Sequence, residues 1–355
     1  MHAVPRRLRR SIALVLALML LAAACSSDDS TAVAVAESAA EVDAAPAEPT
    51  PVPTTAPVEA VEEDATDEEA MADDEEAMDD EEAMEDEAAA DPVLSLEFAG
   101  LEPLGESAVY EGWIIVAGAP VSTGRFVLDA NGEIVAEDGG GHEFVLPADT
   151  IATAVVISIE PADDPDPAPA PTKVLGGDLV DGVAELSIAH PAALGTDFAD
   201  VSGTYILGTP TDGQANNELS GVWFINLPLA QGLDLPALPD GWHYEGWAVI
   251  DGQPVTTGRF TDPAAADAFD GFSGDQGGPP YPGEDFIVNP PEGLEFPTDL
   301  RDAVVVISVE PEPDDSAGPF AIRPLVSDVA DGIGDHVVQN FGAGPAAPTG
   351  TAVIS

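Results

Sequence analysis

From residue 93 onward the chain is a succession of short apolar runs, alternating or β-branched, separated by Gly, Pro, Asp and Asn. Val93-Leu94-Ser95-Leu96-Glu97-Phe98 reads as a strand, and residues 110–128 read as a β-hairpin around the turn Ala117-Gly118. On the first arm of that hairpin Tyr110, Gly112, Ile114 and Val116 share one face, while Val109, Glu111, Trp113 and Ile115 share the other. Neither face is wholly polar, so the pattern predicts a strand covered on both sides or one with an apolar contact on its outer face. Ala154-Val155-Val156-Ile157-Ser158-Ile159-Glu160 is a β-branched run suited to a central strand, and the acidic, proline-rich residues 161–171 close it. Further strands are predicted within 173–179, 184–188 and 203–207. No long stretch beyond residue 92 has helical periodicity, and the predicted fold class is all-β, with β-sandwich domains.

The pattern occurs twice. Tyr110-Glu111-Gly112-Trp113, Pro120-Val121 and Thr123-Gly124-Arg125-Phe126 return as Tyr244-Glu245-Gly246-Trp247, Pro254-Val255 and Thr257-Gly258-Arg259-Phe260, each displaced by 134 residues. In the second copy the turn is Asp251-Gly252, residues that tolerate the positive φ of a type I′ hairpin. Val304-Val305-Val306-Ile307-Ser308-Val309-Glu310 matches the central strand at a displacement of 150, so sixteen residues are inserted between Phe260 and Val304. That stretch carries Phe269, Phe272, Tyr281, Phe286 and Phe296 among glycines and prolines. A long aromatic loop is the first place to expect a binding role, with Phe272 and Tyr281 as candidate contacts; packing over a sheet edge is the plainer expectation. Gly221-Val222-Trp223-Phe224-Ile225 stands where Leu94 to Phe98 stood, and Gly350-Thr351-Ala352-Val353-Ile354 echoes residues 203–207 and is expected to complete the second sheet. The predicted organisation is two tandem β-sandwich domains, 93–213 and 219–355.

The beginning of the chain is different. Arg6, Arg7, Arg9 and Arg10 precede an apolar run over 12–21, too short for a typical membrane span, then Ala22-Ala23-Ala24 and Cys25. Basic end, short apolar core and small residues make a signal peptide over 1–24. Residues 25–92 read as a disordered acidic stalk: between Ser26 and Asp91 there is no aromatic residue, and 25 of the 67 acidic residues fall there. The stalk includes near repeats ending in Met71, Met78 and Met84, most simply a low-complexity expansion. Beyond the signal only Arg125, Lys173, Arg259, Arg301 and Arg323 oppose all 67 carboxylates. Such a surface gains nothing from nucleic-acid phosphates and repels anionic headgroups, whereas cations, basic envelope proteins or a saline medium suit it. Cys25 is the single cysteine, so no disulfide framework or thiolate metal site is expected.

Candidate chemistry is sparse. Trp113, Trp247, Phe126 and Phe260 read as packing residues. Glu111 and Glu245 lie on strands whose hairpin partners carry Arg125 and Arg259, which suggests structural ion pairs or, alternatively, arginines that bind a carboxylate or sulfate ligand. Acidic loops follow both central strands, and Asp163, Asp164, Asp166, Asp314 and Asp315 are calcium candidates, although neither loop has the glycine spacing of an EF-hand and solvated acidic loops are the plainer expectation. His142, His190, His243 and His336 form no metal-binding motif, and neither a nucleophile elbow nor a phosphate loop is present. The expectation is a non-catalytic protein with no cofactor. The oligomeric state is not encoded in any of these patterns.

Two resemblances add to this reading. The run into Cys25 resembles the lipobox of bacterial lipoproteins, in which cleavage precedes the cysteine and the cysteine carries the lipid; Ala22 stands where that family more often has Leu. This implies an anchor at Cys25 on the outer face of the cell membrane. Each repeat resembles the extracytoplasmic C-terminal domain of anti-sigma-K factors, through Tyr110 to Trp113, Pro120 to Gly124 and Ile157 to Pro161, and again through Tyr244 to Trp247, Pro254 to Gly258 and Ile307 to Pro311. Those regulators carry a cytoplasmic sigma-binding region and a membrane helix ahead of the domain, where this chain has a signal, a cysteine and a stalk. The expected function is a membrane-anchored lipoprotein presenting two such domains to a ligand or protein. The alternatives are an accessory sensor of an envelope sigma and anti-sigma system, and a hydrolase of envelope polymers.

Overall fold

A computed structural model describes residues 90–355 apart from 138 and 315, all within one compact unit. The signal peptide, Cys25 and nearly all of the stalk lie outside the described residues. The first repeat contributes β1 (Val93–Ala99), β2 (Ala108–Val116), β3 (Ala119–Leu128), β4 (Ile134–Ala136), β5 (Glu143–Val145), β6 (Ala152–Pro161), β7 (Lys173–Asp178), β8 (Val183–Ser187) and β9 (Ser202–Leu207). The second contributes β10 (Gly221–Trp223), β11 (Ile225–Asn226), β12 (Ala230–Gln231), β13 (Leu233–Asp234), β14 (Trp242–Ile250), β15 (Gln253–Phe260), β16 (Gly283–Asp285), β17 (Val304–Pro311), β18 (Leu325–Asp328), β19 (Gln339–Asn340), β20 (Gly342–Ala343) and β21 (Thr349–Ile354). The fold is all-β, with no helix among the described residues.

The two hairpins share one register. Tyr110 faces Phe126 and Glu111 faces Arg125 across β2 and β3, as Tyr244 faces Phe260 and Glu245 faces Arg259 across β14 and β15, with a bulge after Gly112 and after Gly246. Both turns take two positive φ values, 51° and 81° at Ala117-Gly118 and 52° and 83° at Asp251-Gly252. That is the backbone the Asp-Gly pair predicts. Each tyrosine hydroxyl donates to a carbonyl eight residues upstream, Tyr110 to Glu102 and Tyr244 to Pro236, both at 2.7 Å.

In the first sheet the strand order is β4-β3-β2-β6-β7-β8-β21-β1-β5. It folds over on itself between β7 and β8, which share the single pair Gly176 and Ser187. Glycine is required there: a Cβ on Gly177 would stand 2.3 Å from the Glu185 carbonyl oxygen. Folding over brings Phe144 of β5 against Phe126 of β3, with ring centroids 5.9 Å apart, and Phe98 of β1 5.7 Å from Phe126. The second repeat lays β15-β14-β17-β18-β20 against β13-β9-β10-β16; Phe224 reaches under Gly246, where a Cβ would stand 2.6 Å from the ring. A single apolar core runs through both, from Leu94 and Ile157 to Phe224, Ile307 and Ala352.

Strand pairing crosses the boundary between the repeats in both directions. The repeat pattern assigns β21 to the second sheet; it lies instead in the first, between β1 and β8, with Ala352 opposite Leu96 on one side and Ala184 on the other. β9 leaves the first repeat and pairs with β10, β13 and β19. Loop length favours the pairing of β9 with β10. β9 and β10 are joined by the short segment 208–220, so pairing them closes a small loop, whereas pairing β9 with β1 would close one of about a hundred residues. β1 then keeps an open edge that the matching strand of the other repeat fills. Sequence similarity makes β9 and β21 equivalents and carries no information about which sheet each joins.

Candidate functional site

The outer face of each hairpin is polar yet buried, because the loop after the central strand folds back across it. In the first repeat Trp113 Nε1 donates to Ser158 Oγ at 2.7 Å, Ser158 donates to Glu160, and Glu160 accepts the Ala170 amide at 2.9 and 3.1 Å. In the second repeat Trp247 donates to Ser308 at 2.8 Å, Ser308 to Glu310, and Glu310 accepts the Phe320 amide at 2.9 Å. Burial raises the pKa of Glu160 and pushes that of Glu310 up to about 7. Beside this chain sits the expected ion pair, Arg125 Nε to Glu111 at 3.1 Å and Arg259 Nε to Glu245 at 2.8 Å. The strand covered on both sides is thus covered by its own loop.

The copies diverge at the mouth of this face. Arg125 is capped by the carbonyls of Ala162 and Asp164, at 3.4 and 3.2 Å, and Val109 fills the neighbouring outer position. In the second repeat that position is His243, Arg259 is 41% exposed along its side chain, and its guanidinium meets Asp314 at 2.8 Å and Glu312 at 3.8 Å. A cavity of about 410 Å³ opens there, lined by His243, Arg259, Asp262, Asp267 and Glu312 with small residues of the insertion. His243 Nδ1 is 3.9 Å from Glu312, and its Nε2 has no hydrogen-bond partner among the described residues. Burial, followed by the nearby Arg259, pushes its pKa down to about 4. The ring is therefore neutral at neutral pH.

The insertion packs against the sheet through both apolar and acidic groups. Phe272 lies in an aromatic cluster, 5.3 Å from Phe269, 5.5 Å from Phe296 and 6.0 Å from Phe286. Tyr281 packs on the small satellite of Ile206, Trp223 and Ile225 and lines a second cavity of about 230 Å³. Asp285 accepts Trp223 Nε1 at 2.7 Å and the Thr211 amide at 2.8 Å. Asp267 accepts the amides of Phe269 and Gly283 at 2.8 and 3.2 Å, and Glu284 accepts that of Phe272 at 3.0 Å. Burial pushes Asp267 up to about 6 and Glu284 up to about 8. Sequence patterns do not single out these three carboxylates. Their signal is positional: Val222 pairs with Glu284 as Leu94 pairs with Phe144, so an acid stands where the first repeat has a core phenylalanine.

The acidic loop residues are engaged in local turns. Asp164 accepts the Asp166 amide and Asp166 the Ala168 amide, at 2.8 and 3.0 Å; Asp314 accepts the Ser316 amide and holds Arg259; Asp163 is exposed. Asp315 lies outside the described residues, and among the described residues no group of three or more His, Cys, Asp or Glu side chains is placed to hold a metal ion. Glu111 and Arg125 are brought together and closed over; Glu245 and Arg259 are brought together beside an open cavity. Compared with known proteins, the chain matches no family model, no curated protein and no solved structure.

Proposed function

We propose that the protein is a lipid-anchored, extracytoplasmic binding protein without catalytic activity, in which the second repeat binds and the first is its closed structural counterpart. The observation that carries this reading is the asymmetry between the copies. The same hairpin, turn, bulge and Glu–Arg pair are sealed in one repeat, and in the other border a cavity of about 410 Å³ with a histidine nitrogen that has no partner among the described residues. Two copies of one scaffold can differ in this way because function resides in the site and not in the architecture. The run into Cys25 supports the anchor, and the acidic stalk supports display at a distance from the membrane.

Hydrolysis is less well supported. Ser308 is fully buried, accepts from Trp247 and donates to Glu310, so its oxygen is neither accessible nor paired with a histidine base. The likeness of the repeats to anti-sigma-K extracytoplasmic domains is proposed as ancestry. Incorporation of radiolabelled palmitate into the wild type and Cys25→Ala, with fractionation of both, tests the anchor. Label in the membrane fraction that disappears in the variant is expected. An unlabelled, freely secreted wild type would overturn it, and co-purification with an anti-sigma factor would move the reading to an accessory sensor.

A further inference from the structure

We propose that the cavity beside Arg259 takes an organic cation carrying N–H donors, an ammonium or guanidinium group the size of a side chain; this rests on reading the second repeat as the binding half. The charges around the cavity decide the class of ligand. Among the described residues Arg259 is its one cationic lining residue, and it is already engaged, Nε with Glu245 and Nη2 with Asp314, both at 2.8 Å, and Nη1 3.8 Å from Glu312. Asp262 and Asp267 stand on the same lining with no further described cation to offset them. An anionic ligand would meet this excess of carboxylates, whereas a cation would relieve it.

His243 supplies the independent observation. It is only 8% exposed, lines the cavity and carries a nitrogen without a partner among the described residues. The carboxylate of Glu312 lies on the Nδ1 side at 3.9 Å, beyond hydrogen-bond distance, and the neutral ring keeps a lone pair on one of its nitrogens. A neutral imidazole on the wall together with surplus carboxylates favours a cation over an anion. The first repeat serves as an internal comparison, since Val109 replaces the histidine and backbone carbonyls close over Arg125.

Agmatine, which carries both cationic groups, is the probe, with n-pentanol as a neutral comparison and propionate as an anionic one. The full chain is titrated in 0.15 M and 0.5 M salt while the imidazole NMR signals of His142, His190, His243 and His336 are followed. A saturable shift confined to His243 is expected, persisting at the higher salt and weakened about tenfold in Asp262→Asn/Glu312→Gln. Both substituted residues are exposed, and unchanged signals from the other three histidines report an intact fold. Equal shifts at all four histidines that vanish at high salt, binding of propionate in preference to agmatine, or unaltered affinity in the double variant would each overturn the assignment. Saturable agmatine binding that leaves His243 unmoved would sink this site while leaving a binding function in place. Absence of any saturable binding, by agmatine or by the comparison compounds, would count against both.

Discussion

Glu284→Gln offers the sharpest test of how the second repeat is built. Glu284 is fully buried, occupies the place of Phe144, and has one carboxyl oxygen on the Phe272 amide and the other without a partner among the described residues. Burial, with Asp267 and Asp285 adding repulsion, raises its pKa from 4.5 to about 8. The folded state therefore keeps a proton that the unfolded chain releases. The stability this contributes is complete below about pH 4.5 and is lost as the pH rises through 8. A tenfold change in proton affinity corresponds to about 1.4 kcal/mol, and after allowance for solvent screening the loss between pH 5 and 9 should be about 2–4 kcal/mol. Glutamine has the same shape and cannot ionise. In urea unfolding followed by tryptophan fluorescence, wild type and variant should agree within about 1 kcal/mol at pH 5, and the variant should be more stable by about 2–4 kcal/mol at pH 9. Asp267 and Glu310 also titrate in this range, but they are present in both proteins and largely cancel in the difference. Parallel stability curves, with one constant offset from pH 5 to 9, would refute the reasoning.

Ser308→Ala should cost about 1–3 kcal/mol in the same assay, because it leaves Trp247 Nε1 without its partner and Glu310 with the Phe320 amide alone; adding Trp247→Phe should recover part of the loss. His243→Val, which copies the first repeat, should stabilise the fold in acid and not at neutral pH. The wild-type pKa near 4 lies below its ordinary 6.5, so the stability of the neutral ring is present above 6.5 and lost as the pH falls toward 4, a difference of about 1–2 kcal/mol at pH 4 by urea unfolding. Cysteines at Glu97 and Thr351, which are paired across β1 and β21, should oxidise within one chain in a Cys25→Ser background, and peptide mapping should find that link. Failure to cross-link would contradict the strand exchange.

What depends on neighbours in sequence was legible. The hairpin, its Asp-Gly turn, the pairing of Glu111 with Arg125 and the two-sided burial of Trp113 follow from alternation and a two-residue loop, which fix the register without reference to the rest of the chain. The placement of β21 was not legible, because 203–207 and 350–354 are near equivalents and neither run carries a mark of the sheet it joins. Glu284 was hidden for another reason. In a sequence with 67 acidic residues one more beside Asp285 carries no signal, and only strand pairing reveals that it replaces Phe144. The aromatic insertion reads as a possible contact surface, yet Phe272 is held among three other rings. The insertion's share of the cavity lining comes instead from alanines and aspartates that composition does not distinguish from solvated loop, whereas Arg259 on the hairpin was legible from the repeat.

The pairing of β1 with β21 bears on biosynthesis. Val93 and Ser355 exchange backbone hydrogen bonds at 3.0 Å in both directions, so the first strand of the fold waits for residues translated long after it. Roughly 250 residues separate the two strands, so one flank of β1 has nothing to bind until the last strand is available. A chain that stalls or is clipped before β21 leaves the earlier repeat with a raw β edge, open to aggregation or to proteolysis. The integrity of the earlier repeat thus depends on the last strand of the later one.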